Sequence, residues 1–296
     1  MSENLPTSLD SVPTLDIAPL QVKMKDLLTT YRNKLDRQWP PPQFPDPPGG
    51  QHVLQRMVAV TENTFKTAAF LCADTEDNPA RKVEFGLSVS PLARSILDTV
   101  YALVYLFDDF TANVPRYHRA GWWELSEQYD RLQDTYGSDA TWNVYLTDRR
   151  SMLDESRQFF GITDRKTKLD TWPRPSQMLK DKGLASERRD FLAYLYDWFY
   201  RDLSQDDHLS WPGLARRSSA LVGEAANRVG ILKQHRSKAV MTVFTMTLAV
   251  LSEIEGAVHY GDDQRLVFAW TLLGKYSADT QEVYERRYRV LLNSHT

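Results

Sequence analysis

The chain has 296 residues, 42% of them hydrophobic, and 36 basic against 39 acidic residues give it a net charge of −3. It is long enough to bury a sizeable core, and it lacks the overall positive field of a dedicated DNA binder, so DNA is not expected as a partner and any nucleic-acid role must rest on a local patch. The single cysteine, Cys72, excludes an intramolecular disulfide and a cysteine-based zinc cage and fits a reducing, cytoplasmic setting.

The first sixteen residues, MSENLPTSLDSVPTLD, have no basic start followed by an apolar run and do not read as a secretory signal. Leu20, Met24, Leu27, Leu28, Tyr31 and Leu35 then mark an amphipathic helix that stops at Pro40. The run PPPQFPDPPGG, Pro40 to Gly50, is too proline-rich for a helix and reads as a semi-rigid linker. Residues 1–50 are therefore expected to form a helical appendage and linker, and residues 51–296 an all-α bundle of eight or nine helices that would fold without residues 1–48.

A second helix is expected from Val53 to about Ala73, with Asn78-Pro79 interrupting the chain after it. Ser90-Pro91 then starts an almost wholly apolar helix through LARSILDTVYALVYLFDDF, with serine as the cap, although the preceding apolar residues could extend the same element upstream across a kink. Arg94 and Asp98 share one face of it, either as an intrahelical ion pair or with one of them reaching another polar cluster. Helices near Tyr117 to Asp134 and Asp139 to Phe160 are amphipathic outer members. A short helix through Met178 and Leu179 leads to Gly183. Ser186 caps the next helix, whose stripe Tyr194, Leu195, Trp198, Phe199 and Leu203 is expected to be buried. Trp211-Pro212-Gly213 opens a helix from about Leu214 to Lys233. The apolar run Ala239 to Leu251 falls short of the roughly 20 residues that span a membrane and reads as a core helix. Elements from Leu266 to Tyr276 and Val283 to Leu292 complete the chain.

The segment FLAYLYDWFYRDLSQDDHLSWPGL is where charge, hydroxyl and imidazole crowd beside a core helix. Arg201 is followed by Asp202 and, after six residues, by His208. This spacing resembles the R-x(4 to 6)-H signature of the HEPN helical ribonucleases, although Arg228 to His235 and Arg289 to His295 satisfy it too. In that chemistry a histidine moves the proton of a ribose 2′-hydroxyl and an arginine stabilises the charged phosphorane, with no metal and no cofactor. A broader order of motifs carries a second resemblance: R-S-I-L-D-T at Arg94 to Thr99, then Gly183-Leu184, then Tyr200-x-x-Leu203-Ser204-x-x-x-His208. It is similar to the bacterial domain of unknown function 5677 family over about Val83 to Leu221, with Asp98 in place of the usual glutamate. The resemblance implies a helical fold, with Arg94, Asp98, Tyr200, Asp202, Ser204 and Asp207 supporting Arg201 and His208 in one polar pocket. HEPN-type sites are built from two subunits, so a homodimer is implied with RNA as substrate.

Structural readings stand beside these: Arg201 can pair with Asp197 on its own helix, and His208 can tie a loop to the bundle with Ser204 and Asp207 as caps. Between Trp211 and Val240, Arg216, Arg217, Arg228, Lys233, Arg236 and Lys238 face Glu224 alone, a local charge of +5. The patch either holds an RNA backbone or is a solvated helix face. The expected function is a metal-independent ribonuclease, such as a toxin or phage-defence effector. The alternative is a non-catalytic module that binds a partner or ligand. A remoter alternative starts from Asp108-Asp109, which resembles the magnesium motif of class I terpene synthases, but Ala112 stands where a further carboxylate is needed and no Asn/Ser/Glu triad follows.

Overall fold

The computed structural model describes residues 18–72, 85–163, 167, 171–207, 211–222 and 225–293. Among the described residues there are eleven helices and no strand, an all-α bundle a little larger than the eight or nine helices expected; the helix expected from Leu214 to Lys233 ends at Val222, and the rest of that stretch belongs to the long helix Ala225–Val258. In chain order these are α1 Ala18–Arg37, α2 Gly50–Cys72, α3 Ser90–Leu106, α4 Phe110–Tyr136, α5 Asn143–Phe159 and α6 Pro175–Met178. Then comes α7, made of Ser186–Leu195, a π-helical turn Tyr196–Tyr200 and Arg201–Asp207. After α8, Trp211–Val222, α9 runs Ala225–Val258 and α10 Asp263–Gly274. The last helix, α11, joins Ala278–Val283, a second π-helical turn Tyr284–Tyr288 and Arg289–Asn293.

α9 is the central post. Its residues 239–255 are buried throughout, and α3, α2, α1, α10 and α11 surround it. The segment Gly230–Val258 is long and apolar enough to cross a membrane, but 94% of its apolar window is covered by the other helices. Polar side chains along this buried stretch are satisfied in place. Thr247 donates to the Val243 carbonyl, Thr245 meets Thr280 at 2.7 Å, and Ser252 accepts from Trp270 Nε1 at 2.9 Å. At Gly86 the chain touches α9 so closely that an added Cβ would lie 2.8 Å from the Arg236 Cα, so glycine permits this crossing.

The N-terminal helix is no appendage. Leu28, Tyr31 and Leu35 are fully buried in the same core as α9. The Tyr31 hydroxyl donates to Glu255 at 2.5 Å, Lys34 reaches Asp262 at 2.8 Å, and Arg265 meets Asp26 at 2.9 Å. The physical reason is the size of the apolar stripe. At roughly 1.5–3 kcal/mol per large side chain, its burial favours the nearest apolar surface, and the eleven-residue proline segment lets it fold back onto α2 and α9 of its own chain.

Other boundaries shift for local reasons. Val89, not Ser90, caps α3, because a 3-10 turn Gly86–Ser88 already winds into it, and Ala185, not Ser186, precedes α7. α4 starts seven residues before Tyr117 because Asp109 accepts the Ala112 N–H at 3.0 Å; Pro115 is tolerated since the carbonyl it orphans belongs to exposed Thr111. α8 begins at Trp211 itself, with proline in its first turn. α4 and α5 pair outside the main core around their own cluster of Trp122, Tyr129, Leu146, Leu153 and Ile162. The expected break at Asn78-Pro79 lies outside the described residues.

Candidate functional site

The polar segment singled out in α7 follows the π-helical turn. There the Arg201 N–H reaches back five residues to the Tyr196 carbonyl, and the wider turn rotates the helix face. Leu195, Phe199 and Leu203 stay buried, while Trp198, expected on the same buried stripe, is 63% exposed. One extra residue in the turn is enough to swing it out.

The same turn brings α7 onto α3. Tyr196 and Tyr200 stack at 5.0 Å, and Tyr200 meets Tyr101 edge-on at 5.6 Å. The Leu192 carbonyl accepts from both the Tyr196 N–H and the Tyr101 hydroxyl, the latter at 2.8 Å. Arg94 lies over the Tyr200 ring at 3.6 Å and donates Nη2 to its hydroxyl, while Nε stays 3.2 Å from Asp98. The intrahelical pair and the reach to another element therefore coexist. Arg94 Nη1 is buried and has no hydrogen-bond partner among the described residues. Burial pushes the Tyr200 hydroxyl up, partly offset by the Arg94 guanidinium, so it remains a protonated donor at neutral pH.

Thus Arg94, Asp98 and Tyr200 converge. Arg201 points the other way, 64% exposed, with Asp197 at 3.8 Å in an open i,i+4 pair. Asp202 faces Lys238 at 3.4 Å, and Ser204 is half-buried. His208 and the side chain of Asp207 lie outside the described residues, as do the side chains of Arg216, Arg217 and Arg228; Lys233 is exposed. Asp108 and Asp109 are taken up structurally: Asp108 is 3.5 Å from Arg188, and Asp109 caps α4. Among the described residues no group of three or more His, Cys, Asp or Glu side chains could hold a metal ion.

Sequence reasoning missed two features. The first is a pair of exposed aromatics: Trp198, three residues before Arg201, and Trp211, 81% exposed at the start of α8, a helix that packs on Arg201–Asp207. A stripe carrying more aromatics than one helix face can bury was the available signal. The second is a buried ion pair in which Arg287 of the second π-helical turn donates Nε and Nη2 to Glu253 at 2.5 and 2.8 Å. Its partners are 34 residues apart and carry no local signature.

No known protein family, curated protein or solved structure matches the chain.

Proposed function

We propose that the chain is a metal-independent, HEPN-like endoribonuclease that cuts single-stranded RNA in the cytoplasm as a homodimer. The observation that carries this reading is the setting of Arg201. Its guanidinium is exposed, and among the described residues its ion pair is the open one with Asp197; exposed Trp198 lies three residues before it, Asp202 after it meets Lys238 at 3.4 Å, and exposed Trp211 starts the helix that packs on Arg201–Asp207. Flat aromatic faces beside cations are what a single strand needs for base stacking and phosphate attraction, and an exposed arginine can close bidentately on a phosphate. In the proposed reaction His208 removes the 2′-hydroxyl proton, the 2′-oxygen attacks the adjacent phosphorus, and Arg201 stabilises the charged phosphorane. The 5′-oxygen then leaves with a proton from water, giving a 2′,3′-cyclic phosphate and a 5′-hydroxyl.

The test is cleavage of unstructured RNA in EDTA. Wild type should yield 2′,3′-cyclic ends, and His208→Ala and Arg201→Ala should each lose about 10²-fold or more in rate. Equal rates in wild type and variants would remove these residues from the mechanism. No cleavage of varied RNAs by wild type would leave the non-catalytic ligand-binding alternative, whose support is the cleft floored by Glu253 and Arg287.

A further inference from the structure

Between the proline-rich segment and the α9–α11 pair lies a cleft of about 540 Å³, a volume that suits a small organic molecule. Its walls include Phe44, Phe107 and Phe110, with Phe107 and Phe110 stacked at 5.5 Å and Phe44 tilted against Phe110 at 5.0 Å. Arg188, Glu253 and Arg287 also line it. A buried ion pair is seldom retained for stability alone, since well-packed apolar side chains of similar volume serve as well.

Each of the two arginines has a spare donor. Arg287 commits Nε and Nη2 to Glu253, leaving Nη1. Arg188 gives Nη1 to the Val104 carbonyl at 2.9 Å and turns Nε toward Asp108 at 3.5 Å, leaving Nη2. The side chain of Arg188 keeps 21% of its surface exposed and that of Arg287 8%, so both guanidinium groups border the cleft. Burial, and after it the nearby Arg287 charge, hold the Arg188 guanidinium below its ordinary range, with Glu253, Asp108 and Glu187 only partly offsetting them, so the pair keeps an attraction for a further anion at its spare donors. Backbone strain collects here as well. Gln43, at φ 71°, and His259, at φ 57°, are the only non-glycine residues with left-handed backbone among the described residues, and both line this cleft.

We infer that this cleft binds a small organic anion with a flat apolar body, its oxyanion, carboxylate or phosphate, held by Arg188 and Arg287 and its ring against Phe44, Phe107 and Phe110. Paired guanidinium donors match two oxygens of one carboxylate or phosphate, and offset aromatic faces match a planar ring. The site is separate from Arg201 and does not depend on the ribonuclease reading.

Calorimetric titration of the full chain with phenyl phosphate, benzoate and inorganic phosphate tests it. At least one of the two aromatic anions should bind one per chain, and inorganic phosphate at least tenfold more weakly. Arg188→Gln should weaken that binding tenfold or more. Because Arg188 also holds the end of α3, Phe44→Ala in the proline segment is the second variant; it should weaken the aromatic anion several-fold and leave inorganic phosphate unchanged. Arg201→Ala should bind as wild type does. The inference is overturned if neither aromatic anion binds, if Phe44→Ala binds as tightly as wild type, or if binding is lost in Arg201→Ala instead.

Discussion

Two π-helical turns share one pattern, a pair of tyrosines four apart followed by arginine: Tyr196, Tyr200 and Arg201 in α7, and Tyr284, Tyr288 and Arg289 in α11. In each, the arginine N–H closes on the first tyrosine carbonyl. Their surroundings differ. Trp270 of α10 stacks on both Tyr284 and Tyr288, at 5.9 and 5.0 Å, and Arg287 within the turn is buried on Glu253. Among the described residues nothing comparable covers the α7 turn on its outer side, so Trp198 and Arg201 meet water, while Phe199 stays in the core and Tyr200 is gathered in by Arg94 and Tyr101. The backbone device is the same, and the covering helix decides whether its polar residues become architecture at the floor of a cleft or stay on the surface.

The strongest way to break this comparison is to remove the scaffold that the buried turn relies on. Deleting residues 1–48 strips Leu28, Tyr31 and Leu35 from the core and leaves the Glu255 carboxylate without its tyrosine partner, so the truncated chain should show no cooperative thermal melt by circular dichroism. A cooperative melt near the wild-type temperature would restore the view of α1 as an appendage. Next in size, Glu253→Gln should cost about 3–5 kcal/mol in denaturant titration, because it leaves the Arg287 charge buried and unmatched. Gly86→Ala should cost about 1–3 kcal/mol by forcing α9 backbone apart at Arg236. Arg201→Ala, on the exposed turn, should stay within about 0.5 kcal/mol of wild type.

The smallest expected effect is one of pH. His118 stacks on Phe160 at 4.0 Å, and its Nε2 lies 3.2 Å from the Gly49 carbonyl; burial, followed by the nearby Arg56 and His52, holds its pKa below the ordinary 6.5, although the Gly49 carbonyl opposes this. The unfolded chain then binds the proton more readily. This contribution is therefore complete above about pH 6.5 and is lost as pH falls through the lower folded value. Melting curves from pH 7.5 to 5.5 should decline less steeply in His118→Phe than in wild type; identical declines would show that His118 does not contribute.

The architecture was legible because apolar periodicity survives without knowledge of partners. Leu195, Phe199 and Leu203 sit inside, and Ala239 to Leu251 is the core helix its composition suggests. What escaped depends on geometry that no local pattern records. A single extra residue in the α7 turn moved Trp198 from the inferred core to the surface, and an eleven-residue proline run hid the return of α1 to its own bundle. At the candidate site, the Arg94 and Asp98 pair was readable as an i,i+4 spacing, and its meeting with Tyr200 across 106 residues was expected from the order of motifs, whereas the exposure of Arg201 was not. Glu253 and Arg287, 34 residues apart, carry no local signature.

The most direct measurement pairs a thermal melt with an RNA-cleavage assay in EDTA for wild type and Arg201→Ala, purified side by side. The account predicts a melting temperature unchanged by the substitution, since an exposed arginine does little for stability, and a cleavage rate lowered by about 10²-fold or more if Arg201 stabilises the phosphorane as proposed. An Arg201→Ala protein that melts like wild type and still cuts RNA at the wild-type rate would contradict it.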